Sequence, residues 1–223
     1  FNSIMASKKI NTSNFHPRNK HNSGYNFKEL IEVLPELKEI VFTNKYGTET
    51  IEFSNSKAVK LLNAALLKKH YGIDHWNFPD ENLCPPIPGR VDYIHHLADL
   101  LKKSNISEKA KVIDVGTGAT CVYPLLGNAV YKWEFLGTDI DNESLLIAKN
   151  IVDRNELADV IEFKLQNDEN NIFKGVFNED SKFTASMCNP PFYKSKEEAM
   201  GANARKLRGL GKSNSEGRNF SGN

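Results

Sequence analysis

From residue 111 onward, short apolar runs alternate with helical ones, and this alternation constrains the fold more than any other feature of the chain. Runs 112–115, 135–139, 160–165 and 183–188 have the length and composition of strands, while 143–155 has helical spacing. Strands separated by helical connections run in the same direction, so the pattern implies a parallel sheet with helices on its faces. Open sheets of this kind bind ligands in the crevice at the carboxyl ends of their strands. The residues just after each run are therefore where chemistry is expected.

The first run, Val112-Ile113-Asp114-Val115, enters a Gly116-Thr117-Gly118 turn, where missing side chains let a ligand approach the backbone closely. The third glycine of the dinucleotide fingerprint is absent, since Cys121 stands there. That speaks against a diphosphate cofactor such as NAD and suits a nucleoside without one. Asp139 closes the second run, where a carboxylate can accept hydrogen bonds from both ribose hydroxyls. Asp141 reads better as the cap of the helix that begins near Glu143. With Gln166-Asn167-Asp168 after the third run, these residues form a nucleoside cradle of the methyltransferase type.

The fourth run ends in Asn189-Pro190-Pro191-Phe192, the decisive motif. Two consecutive prolines fix the backbone, so the Asn189 side chain and the Pro190 carbonyl are held rather than searching conformations. An exocyclic aromatic amine has its lone pair delocalised into the ring. Accepting hydrogen bonds from its two N–H groups localises that pair and aims it at an electrophilic methyl. Phe192 adds a stacking face, worth ~1 to 3 kcal/mol per base in single-strand sites. The motif alone leaves adenine in RNA, tRNA or DNA, and a protein glutamine side chain, as open substrates. A non-catalytic RNA-binding module with a vestigial cofactor site is the alternative outside enzymes.

Upstream, residues 27–34 are amphipathic, 40–43 and 50–53 can pair across a loop containing Gly47, and 57–71 reads as a helix stopped by Gly72. Residues 84–90 carry three prolines and read as a rigid loop, followed by a helix over 91–103. His95 and His96 on that helix fit structural roles, and Trp76 and Phe78 fit packing. Residues 11–26 are polar and read as an arm, and residues before Met5 are set aside from fold reasoning. Four regions result: a basic arm over 1–26, an extension over 27–103, a core over 104–193 and a basic loop over 194–223.

Charge supports that division. The whole chain is nearly balanced, with 29 basic and 28 acidic residues. Residues 1–28 hold five basic residues and no acid, and 194–223 hold seven against three, which leaves 17 basic and 25 acidic in the body. Basic ends flanking an acidic body suit a polyanionic partner. Cys84, Cys121 and Cys188 are far apart with no CxxC, so neither a disulfide framework nor a metal site is expected. No apolar run reaches the ~18 to 20 residues of a bilayer span and the N-terminal stretch lacks a secretory apolar segment, so no membrane association is expected and the cytoplasm is the expected compartment.

Four stretches resemble the bacterial large-subunit ribosomal RNA adenine-N6-methyltransferases and their eukaryotic relatives that methylate U6 small nuclear RNA and messenger RNA hairpins. They are His16-Pro17-Arg18-Asn19, LCPPIPGRVDYIHHLADL at 83–100, DVGTGATCVYPLLG at 114–127, and Asn189-Pro190-Pro191-Phe192. The resemblance runs from His16 to the C-terminus. It implies an α/β fold with the Rossmann-like sheet of class I S-adenosylmethionine-dependent methyltransferases, preceded by an N-terminal α/β extension. Members of that family continue with further strands, so the sheet within this chain is expected to be incomplete and to leave an edge able to pair with another copy. The resemblance further implies S-adenosyl-L-methionine as cofactor and 23S ribosomal RNA, naked or in a partly assembled large subunit, as partner. Arg90 would bind the methionine carboxylate, Gly116 and Gly118 the backbone-facing side and Asp139 the ribose, with Asp114 and Asn167 completing the cofactor set. Asn189, Pro190 and Phe192 would hold the target adenine. His16, Arg18, Lys194, Arg205, Lys206 and Arg208 would contact RNA.

Overall fold

The chain is described here by a computed structural model over residues 15–80, 82–106, 109–178 and 180–190. After a strap over 15–26, the helix α1 (Phe27–Val33) starts at Asn26, whose side chain accepts from the Glu29 amide. A 3-10 turn (Pro35–Glu39) leads into a hairpin of β1 (Phe42–Thr43) and β2 (Glu49–Thr50). Next comes α2 (Ser56–Tyr71), with Asn55 accepting from the Lys57 and Ala58 amides at one end and Gly72 at φ 68° at the other. Only a residue without Cβ takes that left-handed conformation at little cost.

The helix expected over 91–103 begins earlier, as α3 (Ile87–Lys103). Pro88 lies in its first turn, where a missing N–H costs nothing because the first amides of a helix have no intrahelical partner. Part of the proline segment is therefore helix rather than loop.

Four parallel strands follow: β3 (Lys111–Val115), β4 (Glu134–Asp139), β5 (Ile161–Leu165) and β6 (Ala185–Cys188), in the order β5-β4-β3-β6. Helix α4 (Val122–Tyr131) connects β3 to β4, and α5 (Asn142–Arg154) connects β4 to β5. The chain moves outward from β3 to β5 and then returns to the other flank of β3. β3 and β6 are therefore neighbours at the reversal of strand order, the position where such sheets open a crevice.

Register aligns the strand ends. Val115 lies beside Thr138 on one flank and Cys188 on the other, and Asp139 lies beside Leu165. Gly116, Asp139, Gln166 and Asn189 thus emerge along one edge of the sheet.

One apolar cluster runs from the extension into the sheet, including Leu30, Leu66, Ile87, Ile94, Leu125, Phe135 and Ile151. Two ties reinforce the junction. Trp76 Nε1 donates to the Thr120 carbonyl at 3.0 Å, and Asn155 Oδ1 accepts from the Asp74 and His75 amides. Trp76 and Phe78 are buried edge to face, with ring centroids 4.8 Å apart.

The strap differs from the expected arm. His16, Asn19 and His21 are buried, and directed hydrogen bonds hold residues 16–22 against α2 and α3. A segment with few large aliphatics still docks here because its polar side chains find fixed partners.

Candidate active site

The turn after β3 is built for close approach. Gly116 and Gly118 have φ of 72° and 64°, and open space lies where their side chains would stand. Both the Gly116 and Thr117 amides donate to the Thr138 carbonyl, at 2.8 and 3.0 Å, which binds the turn to the end of β4. The Gly118 amide donates to Asp139 Oδ2 at 2.8 Å, and Asp139 Oδ1 accepts from the Asp141 amide at 3.1 Å. One carboxylate therefore orders both loops, and each of its oxygens keeps a further lone-pair site for an incoming hydroxyl.

Asp114 does different work. It is 1% exposed and braces the turn from beneath. Thr117 Oγ1 donates to its Oδ2 at 2.8 Å. Burial, helped by the nearby Asp139 charge, pushes the Asp114 carboxyl up to about 7, against the opposing pull of the Thr117 hydrogen bond.

Arg90 projects from the first turn of α3 toward the first turn of α4. Its Nη1 donates to the Tyr123 hydroxyl at 3.1 Å, and the guanidinium carbon lies 5.6 Å from the Tyr123 ring centroid. Tyr123 was not legible as a site residue, because the run that contains it has no polar face to mark a helix.

Gln166 is also more specific than its sequence context suggests. Its amide bonds the Asp139 carbonyl, its Nε2 donates to the Ile172 and Lys174 carbonyls, and its Oε1 accepts from the Asp168 amide. The side chain thus folds loop 167–174 back on itself. Asn167 is exposed beside it, while Asp168 is occupied in a turn with Asn170 and Asn171.

Asn189 is half-buried and Pro190 exposed, directly after β6. Among the described residues none hydrogen-bonds the Asn189 carboxamide. Phe192, Lys194, Arg205, Lys206 and Arg208 lie outside the described residues.

His16 is turned inward, while Arg18 lies at the surface and reaches across to α3 and α4. His16 is 7% exposed, and its Nε2 pairs with Asp99 at 2.9 Å. Arg18 bonds Asp99, the His95 carbonyl and the Tyr131 hydroxyl. Together the two residues tether the strap to α3 and α4, and Arg18, with its side chain half-exposed, does so at the surface. His95 is buried against the Tyr131 hydroxyl, and burial, with the His16 and Arg18 charges, lowers its ring to about 4.

Among the described residues no group of His, Cys, Asp or Glu is arranged to hold a metal ion, and no helix is long and apolar enough to cross a membrane. The three cysteines are unpaired, and Cys188 is exposed. A cavity of about 560 Å³ lies apart from the glycine turn, between α2, the loop after it and α5, where Lys57, Lys60, Asp80 and Arg154 line it. None of the cofactor candidates borders it.

The sequence profile of an RNA methyltransferase family matches residues 9–223. The chain belongs to this family. A ribosomal RNA large subunit methyltransferase F from Pseudoalteromonas translucida is 49% identical over 212 residues, 93% of this chain and 68% of the relative. The N-terminal domain of human METTL16 in complex with SAH is 30% identical, with a TM-score of 0.73 over 87% of this chain and 77% of that one. The METTL16 catalytic domain bound to MAT2A 3'UTR hairpin 1 is 31% identical, with a TM-score of 0.76 over 94% of this chain and 69% of that one. The fold is accordingly that of a class I S-adenosylmethionine-dependent methyltransferase, and S-adenosylmethionine is the cofactor of this RNA methyltransferase. The residues present fit it: an open glycine turn for the backbone-facing side, a carboxylate with free lone pairs for a ribose, and a guanidinium for a carboxylate.

Proposed function

We propose that this chain carries the catalytic machinery for methylating the N6 amine of a specific adenine in 23S ribosomal RNA. The observation that carries the reading is Asn189, whose carboxamide no described residue hydrogen-bonds, at the end of β6 beside the glycine turn of β3. The cofactor supplies an electrophilic methyl group on a sulfonium. The Asn189 side-chain oxygen and the Pro190 carbonyl accept hydrogen bonds from the two N6–H groups of the adenine, which localises the nitrogen lone pair and directs it. Arg90, Asp139 and the Gly116 to Gly118 backbone hold the other reactant, so positioning supplies most of the rate.

The substrate follows from access and from kinship. The amine must be reached at its edge, so the base is unpaired or flipped, which suits a loop or bulge in RNA. The relative named above acts on large-subunit ribosomal RNA, and the basic residues Lys194, Arg205, Lys206 and Arg208 supply phosphate contacts.

The test uses tritiated S-adenosylmethionine with separate pools of ribosomal RNA, transfer RNA and DNA, and Asn189→Ala as control. Label in 23S ribosomal RNA that Asn189→Ala abolishes supports the reading. Label confined to transfer RNA, DNA or protein overturns it.

A further inference from the structure

Residues 15–23 bond along α3 and to α2 and α4, and three of these hydrogen bonds fall on the residues that flank Arg90. Asn19 is 4% exposed. Its Nδ2 donates to the Pro88 carbonyl and to Asp92 Oδ1, both at 3.0 Å, while its Oδ1 accepts from the His21 amide at 3.0 Å. Asp92 Oδ1 also accepts from the His16 amide at 2.6 Å. Pro88 and Asp92 stand two residues before and two residues after Arg90, so the strap grips the turn that carries this guanidinium.

That turn is held from outside the helix. Pro86 at the start of α3 makes no side-chain capping bond; Asn63 of α2 accepts from the Ile87 amide at 2.9 Å, and the strap takes the Pro88 carbonyl and Asp92. Further along the strap, Arg18 bonds Asp99 on α3 at 2.6 Å and the Tyr131 hydroxyl at the end of α4 at 3.0 Å. At the start of α4, the Tyr123 hydroxyl accepts from Arg90. Two arginine–tyrosine pairs therefore clamp α3 against the two ends of α4, the helix that follows the glycine turn. A segment that merely covered apolar surface would need none of these directed bonds.

We propose that the strap is a positioning element for the cofactor, with Asn19 fixing the first turn of α3 so that the Arg90 guanidinium stands where the glycine turn presents the ligand. This rests on the assignment of Arg90 to the cofactor. The strap touches neither reactant, so its loss weakens cofactor binding while leaving the chemistry of a saturated enzyme in place.

The experiment measures the affinity of the full chain for S-adenosylhomocysteine by calorimetry without RNA. Asn19→Ala is expected to weaken binding about 10-fold, the scale of one hydrogen bond between Arg90 and the ligand left poorly placed. Its KM for S-adenosylmethionine rises by the same factor and kcat holds. Arg90→Ala weakens binding further, and the double variant binds no worse than Arg90→Ala alone, because the two act through one contact. Arg18→Ala, with a half-exposed side chain, supplies a second variant should Asn19→Ala fail to fold, and is expected to lose several-fold in affinity at an unchanged Tm. Undiminished affinity in Asn19→Ala and Arg18→Ala, or losses that add in full in the double variant, overturns the proposal. Undiminished affinity in Arg90→Ala is a separate result: it overturns the assignment of Arg90, and the proposal with it.

Discussion

The Gly118 amide donates to Asp139 Oδ2 at 2.8 Å, so the glycine turn of one strand is anchored by the acid that closes the next. The residue assigned to the ribose and the turn assigned to the cofactor backbone are one unit. Removing the carboxylate disturbs both.

Asp139→Ala is therefore expected to lower affinity for S-adenosylhomocysteine by about 10- to 100-fold, the range for one to two charge-assisted hydrogen bonds. Calorimetry on the purified variant reads this directly. Equal affinity in variant and wild type would show that the acid serves only to cap its loop.

Asp114→Asn tests the buried carboxyl. Its folded value of about 7 stands above the ordinary 3.8, so its contribution to stability is complete below 3.8 and is lost as pH rises through about 7. The amide keeps an acceptor for Thr117 and never ionises. Urea unfolding at pH 5, 7 and 9 is expected to show Asp114→Asn gaining on the wild type as pH rises, with the gap levelling off above 7. A gap independent of pH would contradict this.

Acid is expected to loosen the strap. Burial lowers His21 and His95 from 6.5 to about 4, with neighbouring positive charge contributing. Neutral rings in the folded state give stability that is complete above pH 6.5 and is lost as pH falls toward 4, by at most about 1.4 kcal/mol per pH unit for each ring. His95→Gln should flatten the decline in unfolding midpoint across that window. An unchanged slope would assign the decline to other groups.

Gly127→Ala tests the packing of α4. A Cβ at this position would overlap the Phe135 ring, which is 1% exposed and has no room to move. Overpacking of this kind costs about 1 to 3 kcal/mol, measurable as a shift in the urea midpoint.

The parallel strands and the ends of α2 were legible because period, caps and breakers agree there: Asn55 and Gly72 each do what their type predicts. Helix α4 was not legible. Residues 122–128 are all buried, so no polar face alternates with an apolar one, and Pro124 and Gly127 argue locally against a helix. The start of α3 was obscured by the prolines that its first turn tolerates. In the site, Gly116, Gly118, Asp139 and Asn189 could be placed at strand ends from chain order alone. The burial of His16, the reach of Arg18 to Asp99, and the pairing of Arg90 with Tyr123 depend on contacts between distant segments. Local pattern carries no trace of those.

The central claim is that Asn189 presents an adenine N6 amine for methyl transfer. Its most direct test is nucleoside mass spectrometry of 23S ribosomal RNA, unmodified at the target, after incubation with S-adenosylmethionine and either the wild type or Asn189→Ala. The account predicts one new N6-methyladenosine per RNA with the wild type, and a rate at least about 100-fold lower with Asn189→Ala at saturating cofactor. A methyl group on any other atom, or an undiminished rate in the variant, would contradict it.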